Sequence, residues 1–293
     1  MIGVKAAYQH SHARPAFAIP ARTVVVFSGL VAIALGLLHL VDEVQRGETR
    51  APLIWVAVLL AGVWLLSLFL IWRGNRVALL VAGTIAFAEF AAQGLNHYVS
   101  GGSIDLGALA RTRGLPAAIA LLFLGPSCLI MCVAAMDCAA NPRGRATGWR
   151  GLIALGLSAA GGTLVLLHAA DDLHRSGFGS LGAEDGAFVA MVIATVWVLG
   201  GLSTAGHLRR GTFFVIAATL FVLIPFYNLH LASGGVSLGK IASESGMAWA
   251  LVAAATAVCA GLALAFSLLV LGLQLSVRRR PQGKAPAPAL KKA

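Results

Sequence analysis

Histidines followed three and four residues later by carboxylates occur twice in this 293-residue chain, as His39-Leu-Val-Asp42-Glu43 and His168-Ala-Ala-Asp171-Asp172. The two copies stand 129 residues apart. On a helix those spacings place all three side chains on one face. Imidazole with carboxylate is a donor set for zinc, iron, manganese or copper, and helical bundles build such sites from residues one turn apart. A second histidine pair, His97 and His230, stands three residues before Ser-Gly-Gly in each case, 133 residues apart. The candidate ligand sets are therefore His39, Asp42, Glu43 and His97, and His168, Asp171, Asp172 and His230, with His174 as an additional donor.

A deeper polar stripe belongs to one copy alone. Glu89, Gln93 and His97 recur at steps of four, which aligns them along one helix face. At the 133 offset, Glu89 and Gln93 are replaced by Val222 and Phe226. Ionisable groups inside a bilayer cost several kcal/mol unless paired or hydrated, so they turn to the bundle interior and mark function. Glu89 and Gln93 are read as the catalytic pair, forming a proton or substrate path. In a competing reading, Glu89 is the coupling carboxylate of a proton-driven transporter. The one-turn pair Cys128 and Cys132 is read as apolar filling.

The elements that must position these groups are membrane spans. Hydrophobic residues make up 59% of the chain and charged residues 11%, with mean hydropathy +0.86; a soluble domain carries about a quarter charged residues. Eight apolar runs reach the roughly 20 residues a span requires: Val24–Val44, Leu53–Trp72, Val77–Val99, Leu115–Cys138, Gly151–Leu173, Ala187–Leu208, Thr212–Ala232 and Met247–Val277. The first is read as an uncleaved span, because no small-x-small cleavage site follows it.

The net charge of +11 is distributed by loop. Sixteen Lys and Arg fall in the tails and in alternate loops (Arg73 and Arg76; Arg143, Arg145 and Arg150; Arg209 and Arg210), against six in the others. The positive-inside rule then puts both termini in the cytoplasm and the motif histidines near the outer face of the plasma membrane. This distribution explains the basic residues without a nucleic-acid partner. The bilayer is the expected partner, with room for other membrane subunits.

Two motifs repeated in the same order predict an all-α integral membrane protein with eight spans in two parallel four-helix repeats. The expected organisation is a cytoplasmic tail over 1–22, repeats over 23–140 and 151–277, a linker over 141–150 and a basic disordered tail over 278–293. Pro225 is expected to kink its span just below His230.

In outline, eight spans with a histidine pair in each half resemble the haem A synthase family. The resemblance implies bis-histidine haem b, with His39 facing His97 and His168 facing His230. The Glu-x-x-His-Arg signature of that family is missing: Gly36 and Leu40 occupy the matching places around His39. Phosphate loops, zinc-protease helices and serine-hydrolase elbows are also missing. The sequence leaves open whether the chain is an enzyme. The favoured reading is metal binding in a membrane redox or metal-dependent enzyme, or in a subunit of one.

Overall fold

A computed structural model describes residues 17–47, 49–93, 106–140, 145–175, 183–206, 209–231 and 236–278. The first five helices are α1 (Ala21–Arg46), α2 (Ala51–Trp72), α3 (Val77–Gln93), the short α4 (Leu106–Arg113) and α5 (Leu115–Ala140). The next five are α6 (Trp149–Arg175), α7 (Ala183–Ala205), α8 (Arg209–Phe226), the short α9 (Leu238–Glu244) and α10 (Met247–Arg278). Two three-residue strands, β1 (Phe17–Ile19) and β2 (Arg145–Thr147), pair antiparallel with Ala18 opposite Ala146. The chain is thus helical and of the multi-pass membrane type. Among the described residues, seven helices are long and apolar enough to cross a bilayer, and the described part of α3, at 17 residues, is shorter.

The helices follow the apolar runs closely, with one clear shift. The sixth run was expected over Ala187–Leu208, whereas α7 starts at Ala183 and ends at Ala205. Glu184 and Asp185 stand in its first turn, where the helix dipole favours acidic residues. α4 and α9 are helices where the sequence had suggested only outer loops. Each leads into the following long helix through a glycine with positive φ, Gly114 (80°) and Gly246 (97°). Only glycine adopts that backbone without strain.

Packing forms two rings. In one, α1 contacts α2, α2 contacts α3, α3 contacts α5 and α5 returns to α1. In the other, α6, α7, α8 and α10 make the same circuit in the same order. α5 also touches α6 and α7, and α4 touches the same two helices, so these two elements join the rings. Their position shows in burial: 61% of the apolar window of α5 is buried, against 22% for α2, which stands at the edge.

The second ring is closed tightly by small residues. Gly161 and Gly162 of α6 lie under Trp197 and Val198 of α7, and a side chain at Gly161 would overlap the Trp197 ring. Such close approach is how helices associate where lipid removes the hydrophobic drive between them. Trp64 occupies the corresponding place in α2, 133 residues before Trp197, and donates its ring N–H to Met131 Sδ at 3.1 Å. The residues 129 before the glycine pair are Ala32 and Ile33, both buried.

Gly161→Ala is expected to destabilise the protein by roughly 1–3 kcal/mol through overpacking. Gly156→Ala, with nothing within 4 Å of the new methyl, is expected to be neutral or stabilising by up to about 1 kcal/mol. Equilibrium unfolding of both variants in mild detergent checks the contrast.

Candidate metal centre

Both copies of the motif occupy the last two turns of a long helix. α1 ends at Arg46 and α6 at Arg175, so the pattern extends to His-x-x-Asp-acidic-x-x-Arg in both. In α6, the Arg175 guanidinium bonds Asp171 Oδ2 through Nε at 2.9 Å and Asp172 Oδ1 through Nη2. In α1, Arg46 Nη2 lies 3.1 Å from Asp42 Oδ2, and Arg46 Nε donates to the Asp42 carbonyl at 3.4 Å. The i+4 carboxylate faces the histidine in each copy: His39 Nε2–Glu43 Oε1 is 3.2 Å and His168 Nε2–Asp172 Oδ2 is 3.7 Å. The short helices add an outer charge to each, Arg113 of α4 at 3.8 Å from Asp42 Oδ1 and Glu244 of α9 at 3.7 Å from Arg175 Nη1.

From the sequence, Arg46 and Arg175 count among the outer-loop charges and as possible ion-pair partners of the motif carboxylates. Their membership of the site was legible in the shared 129 offset, which carries arginine as well as histidine and carboxylate. The ion pairs also occupy one oxygen of each second-copy aspartate, leaving Asp171 Oδ1 and Asp172 Oδ2.

His230 meets His168 from α8. Pro225 cannot donate the helical hydrogen bond at its position, and α8 gives way to a π-helical turn over Tyr227–Leu231. That turn buries His230 and leaves Tyr227 and Leu231 exposed. The His230 ring rests on Phe226, with centroids 4.6 Å apart. Its Nδ1–H donates to the Val236 carbonyl at 2.6 Å. Nε2 therefore carries the free lone pair, and it lies 3.0 Å from His168 Nε2.

This arrangement strains the protonation of His168. With its proton on Nε2, the ring donates to His230 and leaves a bare Nδ1, buried and without a partner. With its proton on Nδ1, two lone pairs face each other across 3.0 Å. A cation between them removes that repulsion. Adjacent nitrogens on tetrahedral zinc, with bonds of about 2.0–2.1 Å, stand roughly 3.3 Å apart. Asp171 Oδ1 is also buried without a hydrogen bond, and Asp171 itself is 0% exposed. His168, Asp171 and Asp172 offer ligand atoms all within 4.8 Å of one another, a group that could hold a metal ion. His230 held by a backbone carbonyl and the aspartates held by Arg175 supply the outer-sphere contacts that orient such ligands.

The other sequence candidates separate. His97, the proposed partner of His39, lies outside the described residues, as does the Ser-Gly-Gly after each second histidine. His174 is exposed and turns to the Ala110 carbonyl at 3.4 Å, away from the group. Glu89 accepts a hydrogen bond from Gln93 Nε2 at 2.9 Å and sits against α1 at Gly36, one turn before His39.

No protein-family model matches the chain, and no curated protein or solved structure shows significant similarity to it.

Arg175→Met is expected to cost about 3–5 kcal/mol, because it strands two buried carboxylates. Arg46→Met is expected to cost about 1 kcal/mol or less, since Asp42 and Glu43 are partly exposed. Adding Asp171→Asn and Asp172→Asn to Arg175→Met should recover part of the loss in thermal unfolding.

Proposed function

We propose that the chain is a duplicated, eight-span plasma-membrane protein that binds a transition metal at the His168, Asp171, Asp172 and His230 cluster. His39, Asp42, Glu43 and His97 form the equivalent first site, and the whole serves a membrane redox or metal-dependent enzyme. The observation that carries the metal reading is the His168–His230 pair at 3.0 Å, with the His230 tautomer fixed by Val236. Two carboxylates against one guanidinium leave the cluster a net negative charge, which suits a divalent cation. The duplication is supported by two rings with the same order of contacts and by Trp64 with Trp197 at the 133 offset. It is supported also by the short helix before the last span of each ring. Repeats with an even number of spans share orientation, which keeps both sites on one face and, with the loop charges, both termini in the cytoplasm.

Haem b between the paired histidines is less favoured. Imidazoles whose nitrogens stand 3.0 Å apart leave no slot for a porphyrin plane. Glu89 and Gln93 serve the first site from below, as a path for protons or substrate; the transporter reading makes Glu89 the coupling carboxylate instead.

Elemental analysis of the purified protein is expected to find at least one zinc, iron, manganese or copper per chain. His168→Ala with His230→Ala should remove one equivalent, and acidification should release it, because a ligating imidazole must be neutral. Folded protein that lacks metal and does not take it up would overturn the reading, and a Soret band lost in His168→Ala would replace it with haem. Proton-coupled uptake into liposomes that disappears in Glu89→Gln would support the transporter.

A further inference from the structure

The first ring contains a space bordered by a carboxyl. A cavity of about 460 Å³ lies between α1, α2 and α3, bounded by Ala32, Gly36, Leu60, Trp64 and Glu89 among others. In the second ring the equivalent of Trp64, Trp197, packs against Gly161. In the first, Ala32 stands in place of that glycine. The carboxyl belongs to the first ring, since Val222 stands in the place of Glu89 in the second.

The wall is apolar apart from Glu89, Thr84 and the Trp64 edge. Glu89 lies about 18 Å along α3 from the Arg76 end, well inside a hydrocarbon layer roughly 30 Å thick. One turn beyond the cavity wall, Gln93 Nε2 satisfies one carboxyl oxygen of Glu89, yet Gln93 Oε1 is buried with no hydrogen-bond partner. Buried polar atoms without partners are uncommon and costly, and here the unmet group is an acceptor. Lipid acyl chains would fill the volume but donate nothing to the Glu89–Gln93 pair.

We propose that this cavity binds a neutral, bilayer-soluble molecule with a hydroxyl-bearing ring head on an apolar body, a lipid-soluble phenol of the quinol type. The body lies along Leu60, Ala61 and Ile85, and the head's O–H donates to the Glu89–Gln93 pair. Gly36 places α1 beside the carboxyl: a methyl there would stand 3.9 Å from Glu89 Oε1, an ordinary contact. The proposal deepens the reading of Glu89 and Gln93 as a substrate path. It does not depend on metal at His168.

The test is equilibrium binding of radiolabelled decylubiquinol to the full-length protein in nanodiscs, against protein-free nanodiscs. One saturable site per chain is expected. The oxidised quinone, which lacks the O–H, should bind at least tenfold more weakly. Glu89→Leu should weaken quinol binding at least tenfold, and Leu60→Trp, which fills the cavity from the lipid side, should do the same with Glu89 untouched. Leu60→Trp should retain the wild-type metal content, which separates a failure here from a failure of the metal reading. Equal binding of quinol and quinone, equal binding by wild type and both variants, or occupancy by acyl chains only overturns the proposal.

Discussion

A carboxylate carried into a membrane bundle must be met by a positive partner within reach, and Arg175 meets two. That fork of hydrogen bonds governs much of what surrounds it. It fixes which oxygens of Asp171 and Asp172 are occupied and which remain available. It ends α6 on a residue whose charge suits the negative C-terminal dipole of the helix. It also ties the α6 terminus to Glu244 on α9. Bidentate geometry makes arginine the residue for this task, because its planar fork spans two acceptors where an ammonium would serve as a point charge. The same device appears in α1 with Arg46, in a more open setting and with one aspartate.

The two rings share this device and then diverge. The second is closed: glycines bring α6 and α7 together, Trp197 is fully buried, and His168 gathers with two aspartates while His230 meets it from α8. The first holds a cavity between α1, α2 and α3, bordered by a carboxyl with its glutamine partner. On the proposed reading the two rings divide labour, one holding an ion and the other admitting a reactant. Tight packing and pre-oriented ligands favour permanent occupancy, whereas open volume next to a polar group favours exchange.

Much of this was legible in the sequence, because the bilayer imposes strong rules. Apolar runs gave helix positions to within a few residues, and the 129 and 133 offsets picked out the His168 cluster and His230. What escaped has physical reasons. α4 and α9 are too short and too polar to stand out from loops. Which oxygens Arg46 and Arg175 hold is a matter of side-chain geometry that spacing alone does not fix. Trp64 and Trp197 share the spacing of the second histidines, but a single aromatic in an apolar run is a weak signal. The cavity arises from how α1, α2 and α3 pack, and such contacts have no one-dimensional signature. Pro225 did announce a distortion; its form, a π turn that buries His230, follows from how the freed backbone finds new partners.

The β1–β2 ribbon bears on the order in which the molecule is made. β1 precedes α1, yet its partner lies beyond α5, so the ribbon can zip only after the whole first ring has been synthesised. Its closure brings the two ends of that ring together at one face, just as α6 begins to emerge. The ribbon is thus a seam sewn between two acts of membrane insertion, joining a finished bundle to one not yet begun. Three residue pairs suffice for this, since the helices on either side already hold their ends close.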